Sequence, residues 1–196
     1  MMNRNNINRI IHLIFIISLI LFSGCRNKYT PKPRGYYRID FPQKKYKLYK
    51  GNCPYSFEYP LYSIVNKDNS PNSEPCWINI DFPDYNGSIH ISYIEVKGNL
   101  NAVLEDAHTL AYKHTVKADA INEHLINKEM DRVYGILYDI EGNAASSVQF
   151  FLTDSTDHFL RGALYFKTRV EKDSLAPVID FFRQDVIHFI DTFEWN

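Results

Sequence analysis

The chain has few glycines and few cysteines, and the shortage of glycine narrows the class of protein. It contains 8 glycines in 196 residues, while 15% of its residues are aromatic and 45% are hydrophobic. A chain of this composition is neither disordered nor of low complexity, because it has enough apolar side chains to form a sizeable core. Its length fits one domain.

The chain also lacks an excess of charge of either sign. The 22 basic and 23 acidic side chains give a formal net charge of −1. Residues 1–24 contain two arginines and no acid, so their removal would leave 20 basic and 23 acidic side chains, a net charge of −3. Nothing in this balance favours nucleic acid as a partner.

The chain lacks a hydrophobic run long enough to cross a membrane, although a shorter run lies near its start. Residues 10–22 are apolar apart from His12 and Ser18, whereas a spanning helix needs about 20 residues. Arginines precede this run and small residues follow it, which is the pattern of a secretory signal peptide. We predict a signal at residues 1–24, with an uncut anchor as the alternative.

The signal ends in a segment, Leu21-Phe22-Ser23-Gly24-Cys25, that resembles the lipobox of bacterial lipoproteins. The resemblance implies that the Cys25 thiol takes a diacylglycerol, that the chain is cut before Cys25, and that the new amino group is acylated. Two or three acyl chains hold a protein firmly on a membrane, at about 0.8 kcal/mol per buried methylene. An ordinary secretory cut with an unmodified thiol is the alternative.

With Cys25 lipidated, two thiols remain, at Cys53 and Cys76. Exported proteins meet an oxidising compartment, so this pair is most simply a disulfide, and two buried free thiols are the alternative. Closing this loop would stabilise the fold by about 3 kcal/mol in the chain-entropy model. The CxxC spacing of redox enzymes is absent, which argues against redox catalysis.

Residues 25–50 are predicted to form a tether between the lipid and a single globular domain at residues 51–196. The segment is rich in basic residues, has Asp40 as its single acid, and contains three prolines that favour extended chain. Its basic residues suit anionic headgroups at up to about 1 kcal/mol each, and a solvated spacer is the alternative. Four of its apolar side chains are expected to pack on the domain: Tyr36, Tyr37, Ile39 and Phe41.

From Cys53 onward, alternating apolar residues predict strands. We expect a hairpin from residues 55–60 and 62–65, then a second strand pair at 77–82 and 88–96 that turns at Asn86-Gly87. If the segment after Pro60 pairs with both of its neighbours, the two cysteines lie at the same end of one sheet.

Helical periodicity follows at residues 100–111, where apolar side chains recur at three- and four-residue steps. The closing segment predicts a second helix, with Ser174 as its N-cap and Pro177 in its first turn. Between the helices lie four predicted strands, at 120–126, 133–140, 147–153 and 159–167. This order of elements predicts an α+β fold, a mainly antiparallel sheet covered by two helices.

Candidate catalytic and metal-binding motifs are incomplete. Glu105 and His108 form an ExxH on one helix face, but a carboxylate-bridged metal site needs a second copy, and His108 with His114 does not form HExxH. The serines at 146 and 147 lack the GxSxG context of a nucleophile. We predict no catalytic residue, no metal and no cofactor.

The segment after the third of these strands, residues 154–157, offers several side-chain oxygens. It lacks the glycine and the terminal glutamate of an EF-hand loop, so a hairpin turn whose side chains bond the backbone is the simpler interpretation. Gly162, in the next strand, is expected to permit a bulge or the close packing of an aromatic ring.

Long motifs across the mature chain resemble one family. They are TPKPRGYYRIDFP, CPYSFEYPLYS, PCWINIDFP, EDAHTLAYKHTVKADAI, YGILYDIEGNAASSVQFFLTDSTDHFLRGALYF and DSLAPVIDFFRQDVIHFIDTFEW. The chain is identified by them as similar to the GldD family of gliding-motility lipoproteins of Bacteroidetes. The resemblance implies a non-enzymatic envelope lipoprotein required for gliding and tied to the type IX secretion machinery. The order of elements also resembles the PsbP-like α/β/α sandwich, a likeness of fold alone.

Two functions follow as expectations. In the first, the domain is an assembly or stability factor that binds other gliding or secretion proteins of the envelope. In the second, it is a periplasmic module with a pocket for a lipid, a glycan or a peptide between the sheet and the helices. No acidic run follows Cys25, so we expect the domain to face the periplasm. The candidate contact residues are Asp106, His108, Tyr112, His114, Asp154, Asp157 and His158.

Overall fold

The computed structural model describes residues 38–113, 118–167 and 172–196, together with His12 and Phe15. The predicted cleavage site, Cys25 and His114 lie outside the described residues. A compact unit begins at Arg38 and continues to Asn196. In this part of the chain no helix has the length and hydrophobicity needed to cross a membrane.

Strands and helices alternate in blocks along the compact unit. The helices are α1 Leu100–Tyr112 and α2 Lys172–Thr192, and short 3-10 helices lie at Pro83–Tyr85 and Glu129–Asp131. The strands are β1 Tyr46–Lys50, β2 Tyr55–Pro60, β3 Ile64–Lys67, β4 Ile78–Phe82, β5 Gly87–Glu95, β6 Ala118–Lys128, β7 Val133–Gly142, β8 Ser146–Thr153, β9 His158–Phe166 and β10 Glu194–Trp195.

The strands form two antiparallel sheets. The large sheet has seven strands in the order β3-β4-β5-β9-β8-β7-β6, and the small sheet has three, in the order β1-β2-β10. Every strand pair in both sheets is antiparallel. The predicted α+β class is confirmed.

Apolar side chains on the two faces of the large sheet form two cores. Successive residues of β7 point to opposite faces, and Leu137 belongs to one core while Tyr138 belongs to the other. The first core contains Phe182 and Phe189 of α2 together with side chains of the small sheet. The second contains apolar residues of α1, including Val103. The helices therefore cover opposite faces, as in an α/β/α sandwich.

The predicted hairpin between residues 55–60 and 62–65 is wrong. Strand β2 pairs with β1 on one edge and with β10 on the other, so both of its edges are taken. Strand β3 pairs instead with β4 of the large sheet. The chain leaves the small sheet at a turn in which both the N–H and the hydroxyl of Ser63 donate to the Pro60 carbonyl, at 3.1 and 2.7 Å.

Cys53 and Cys76 are joined by a disulfide with a Cα–Cα distance of 5.6 Å. The expectation that these residues lie at one end of a single sheet is wrong, because Cys53 precedes β2 of the small sheet and Cys76 precedes β4 of the large one. The bond therefore links the two sheets.

The predicted tether at residues 25–50 extends too far along the chain. Its last five residues are strand β1, and Phe41 stacks on Phe181 of α2 with ring centroids 4.2 Å apart. Ile39 and Phe41 pack on the first core, as the sequence predicts. Ile39, Phe41 and strand β1 therefore belong to the domain, because burial of their apolar side chains stabilises the fold.

Helix α2 begins at Lys172, so the expectation that Ser174 is its N-cap is wrong. Pro177 lies inside the helix and not in its first turn. A proline at that position removes one intrahelical hydrogen bond. The many apolar side chains along the rest of the helix outweigh that loss.

Candidate functional site

The turn between β8 and β9 holds three of the predicted contact residues. Asp154 is buried, and its carboxylate accepts bonds of 2.9–3.0 Å from the backbone N–H groups of Thr156, Asp157 and His158. Burial raises the pKa of Asp154, but these bonds and one from the Thr156 hydroxyl outweigh burial and lower the pKa to about 2. Asp154 therefore holds the turn in shape, while Asp157 beside it is exposed.

His158 joins an aromatic group at the same end of the large sheet. Its Nδ1 lies 2.7 Å from the Tyr93 hydroxyl, and its ring stacks on Trp195 with centroids 5.3 Å apart. The backbone N–H of Val96 donates to the Asp157 carbonyl at 2.7 Å. This turn consequently lies beside the segment that leads into α1.

The other predicted contact residues lie along α1. The His108 ring stacks on Tyr112 with centroids 4.3 Å apart, and the Tyr112 hydroxyl donates to Glu123 Oε1 at 2.9 Å. This bond raises the pKa of Tyr112. Asp106 is exposed. At about 1.5 Å per residue, Tyr112 lies about 18 Å along the helix from its first residue. The described contact residues therefore form two separate groups, one at the turn and one along α1.

A buried carboxylate on α2, which the sequence analysis missed, lies at the centre of a hydrogen-bond network apart from the turn and from α1. Asp185 is 1% exposed. It accepts hydrogen bonds from Lys44 Nζ at 2.7 Å, the Tyr46 hydroxyl at 2.9 Å and the Tyr62 hydroxyl at 2.7 Å. Lys44 Nζ also donates to the Phe181 carbonyl and lies 3.4 Å from the centroid of the Phe181 ring.

Burial and the negative charge of Asp185 change the acidity of its neighbours. Burial lowers the pKa of Lys44, against the opposing effect of Asp185. Burial raises the pKa of Tyr46 and Tyr62, and the nearby carboxylate raises both further. The two tyrosines therefore stay protonated donors, and this network fixes residues 44–46 to the last helix.

The sequence held one signal for this network. Asp185 falls among Val178, Phe182, Val186 and Phe189 on the apolar side of a predicted helix, where an acid requires a buried partner. Its partners could not be identified from sequence, because Lys44 and Tyr46 fell in the predicted tether.

A cleft of about 340 Å³ lies between α2 and strands β6, β7 and β8. In it, Arg183 donates two hydrogen bonds to the Asp139 carboxylate, at 2.5 and 2.7 Å, and these raise the pKa of Arg183. His124 Nε2 lies 2.9 Å from the same carboxylate. Apolar walls beside these charges, such as Ile179 and Val148, suit a small amphipathic molecule.

A smaller groove of about 240 Å³ lies beside the disulfide. Tyr49 of β1 forms one wall, Val65 and Lys67 of β3 form another, and Trp77 lies at the groove as well. The Trp77 indole N–H donates to the Tyr93 carbonyl at 2.8 Å, which fixes the position of that ring. The groove thus joins the two sheets at the outer edge of the larger one.

Within residues 38–113, 118–167 and 172–196, no three His, Cys, Asp or Glu side chains come together in a metal-binding arrangement. The Glu105 and His108 pair therefore has no third ligand in the part of the chain that is described.

Comparisons with known proteins give one family and one fold. The model of a family described as gliding motility lipoprotein GldD matches residues 26–195. No curated protein gives a significant match. The solution structure of cyanobacterial PsbP (CyanoP) from Synechocystis sp. PCC 6803 is similar, with a TM-score of 0.51 and 11% sequence identity over 82% of this chain and 98% of that one. This likeness confirms the predicted sandwich and carries no information on activity.

Proposed function

The chain belongs to the GldD family of gliding motility lipoproteins, and we propose that it is a non-catalytic, lipid-anchored assembly or stability factor for the gliding and type IX secretion machinery. The observation that carries this proposal is the family match, because it spans residues 26–195. The Cys25 lipid would hold the domain at a membrane of the cell envelope. The domain would face the periplasm and bind other envelope proteins there.

The hydrogen bonds to Asp185 support the proposal that the tether joins the domain at one fixed point. Lys44 and Tyr46 lie near the end of the predicted tether, in a part that the structure assigns to the domain, and both donate to Asp185. A chain held by a buried carboxylate at this point enters the domain at one defined place.

Cross-linking in living cells tests the proposal. After cross-linking, purification of the lipoprotein should recover other motility or secretion components of the envelope. Protease added to whole cells should leave the domain intact if it faces the periplasm. Recovery of no envelope component would contradict the assembly role, and digestion in whole cells would place the domain outside.

The cleft beside Arg183 favours a second candidate function, a periplasmic module that binds a lipid, a glycan or a peptide. Asp139, Glu141 and Asp180 bring three carboxylates to the cleft, and Arg183 pairs with the first. Native mass spectrometry of the purified chain would reveal a retained small molecule. Its loss on Arg183→Ala, with no partner recovered from cells, would favour this second function.

A further inference from the structure

Strand β3 is the outermost strand on one side of the large sheet. It pairs with β4 over Ile64–Lys67, and the described residues place no other strand beside it. Along an antiparallel ladder, hydrogen-bonded pairs alternate with pairs whose N–H and C=O groups point away. One hydrogen bond therefore determines which groups of β3 point outward.

That bond joins the N–H of Asp68 to the carbonyl of Trp77 at 3.0 Å. It continues the register of β3 on β4 and makes Asp68 and Trp77 a hydrogen-bonded pair. Counting back along β3, Val65 and Lys67 occupy the alternate positions, so their N–H and C=O groups point to the outer edge. No group in the described ranges binds these outward N–H groups.

The side chains of Val65 and Lys67 also line the groove beside the disulfide. Side chains of residues two apart point to the same face of a sheet, so Val65 and Lys67 share the face of their partners Ile80 and Ile78. Tyr49 of β1 also lines the groove. A strand added along β3 would place every second side chain on this face. One added strand could thus bind the free backbone groups of β3 and also place a side chain in the groove.

We propose that the outer edge of β3, together with this groove, binds an extended acidic segment of a partner protein by strand addition. Backbone hydrogen bonds to Val65 and Lys67 hold the segment, and the groove takes one of its apolar side chains. The inference rests on the proposed function as an envelope-protein binder and deepens it by naming the docking site.

The charges around the groove determine the acidic character of the segment. Lys67 is exposed in the groove wall, and Lys47 and Lys50 are exposed on β1 on either side of Tyr49. The Asp68 carboxylate is already bonded to the Ser70 hydroxyl and N–H. Acidic side chains beside the groove would therefore meet the Lys67 ammonium group first. Lys50 is exposed next to Tyr49, while the Lys47 ammonium lies 4.8 Å from the centroid of the Tyr59 ring.

The opposite side of the added strand has an apolar contact as well. The Ile64 side chain is 53% exposed. An added strand would cover this side chain with the residues that point away from the groove. Since β3 has four residues, the segment needs about four or five residues in extended conformation, about 13–17 Å.

Two substitutions at one position separate the backbone contribution from the charge. Lys67→Pro removes both the outward N–H and the charge and leaves the bonds to β4 in place, since proline is tolerated at such edge positions. Lys67→Ala removes the charged side chain and keeps the N–H, so the difference between the two variants reports the backbone bond. Heptapeptides would be selected from a random display library against the full chain in detergent micelles, and their affinities for the three proteins compared.

We expect the selected peptides to alternate apolar and acidic residues. They should bind Lys67→Ala about two- to fivefold more weakly, as for an exposed ion pair, and Lys67→Pro more than about tenfold more weakly. A selection that enriches no peptide, or peptides that bind Lys67→Pro as well as the native chain, would overturn the proposal.

Methylated peptides test the same contact on the unaltered protein. Methylation of the peptide amides that face β3 should abolish binding, and methylation of the alternate set should leave it unchanged. Equal effects of both sets would overturn strand addition even if Lys67→Pro fails to fold. Lys67→Pro cells that still yield cross-linked envelope partners would refute this docking site and leave the proposed function standing.

Discussion

Lys44 Nζ lies 2.7 Å from Asp185 Oδ1, and this ion pair joins the start of the folded domain to its last helix. Tyr46 and Tyr62 donate to the same carboxylate. A buried carboxylate is costly unless it is fully hydrogen-bonded, and removal of that carboxylate leaves its donors unpaired. Asp185 therefore determines how firmly residues 44–46 are held.

Asp185→Ala should lower the free energy of unfolding by about 3 kcal/mol, because it leaves a partly buried ammonium and two hydroxyls without their acceptor. Urea denaturation would measure the loss. Asp191→Asn, at an exposed position on the same helix, is the matched control and should change stability by less than about 0.5 kcal/mol. Equal effects of the two substitutions would show that the network contributes nothing special.

The Asp154 turn should weaken in acid. Its folded pKa is lowered to about 2 from an ordinary 3.8, so its contribution is present above pH 4 and is lost as the pH falls through about 2. Between pH 5 and pH 2, the native chain should lose about 1–2 kcal/mol more than Asp154→Asn, measured by urea denaturation at each pH. Parallel pH profiles for the two proteins would contradict this role.

Replacing both Cys53 and Cys76 with serine should lower the free energy of unfolding by about 3 kcal/mol, because the open chain gains entropy when unfolded. For a domain of this size, the melting temperature should fall by about 6–12 °C. Adding reductant to the native chain should reproduce the shift and leave the double variant unchanged. A reductant effect on the double variant would point to another cause.

Gly162 should tolerate no side chain while Phe150 faces it. A Cβ at residue 162 would lie 2.2 Å from Phe150 Cζ, so Gly162→Ala should cost about 1–3 kcal/mol through overpacking. Phe150→Leu creates space, and the double variant should be more stable than the sum of the single changes predicts. Additive effects in thermal denaturation would show that the ring is not the obstacle.

Cys25→Ala should block lipid attachment and release the domain from the membrane fraction, because the acyl chains supply the affinity. Fractionation with metabolic labelling by a fatty acid would measure both effects, and gliding should be lost. Cys53→Ala retains Cys25 and serves as the control for labelling. Cleaved Cys25→Ala protein that stays on membranes and supports gliding would contradict the anchoring role.

Local patterns in the sequence predicted most elements of the large sheet. The alternation of side chains at residues 133–140 predicted β7, Val133–Gly142. Successive residues of a strand point to opposite faces of the sheet, so the pattern is visible in the local sequence. Gly162 was expected to permit the close packing of a ring, and Phe150 provides that ring. Such features depend on neighbours in sequence or on one adjacent strand, which a pattern can reveal.

Pairings between distant segments could not be predicted in this way. One edge of β2 is occupied by β10 from the far end of the domain, and nothing near Tyr55 in sequence reveals that pairing. The other edge is occupied by β1, a nearby strand that lies within the predicted tether. The same limit hid Asp185, whose donors come from more than a hundred residues away in the chain. The disulfide could be predicted from the oxidising compartment that exported proteins meet, although the sheet geometry expected for it was wrong.

The small sheet imposes an order on folding. Glu194 pairs with Ser56 and Trp195 with Tyr55, so β2 lacks one neighbour until residues 194–195 have emerged from the ribosome or the translocation channel. Contacts of such high sequence separation form slowly, and the unfinished edge is open to aggregation meanwhile. Cys53 and Cys76 emerge much earlier, so we expect oxidation to precede completion of the small sheet and to limit the search that remains.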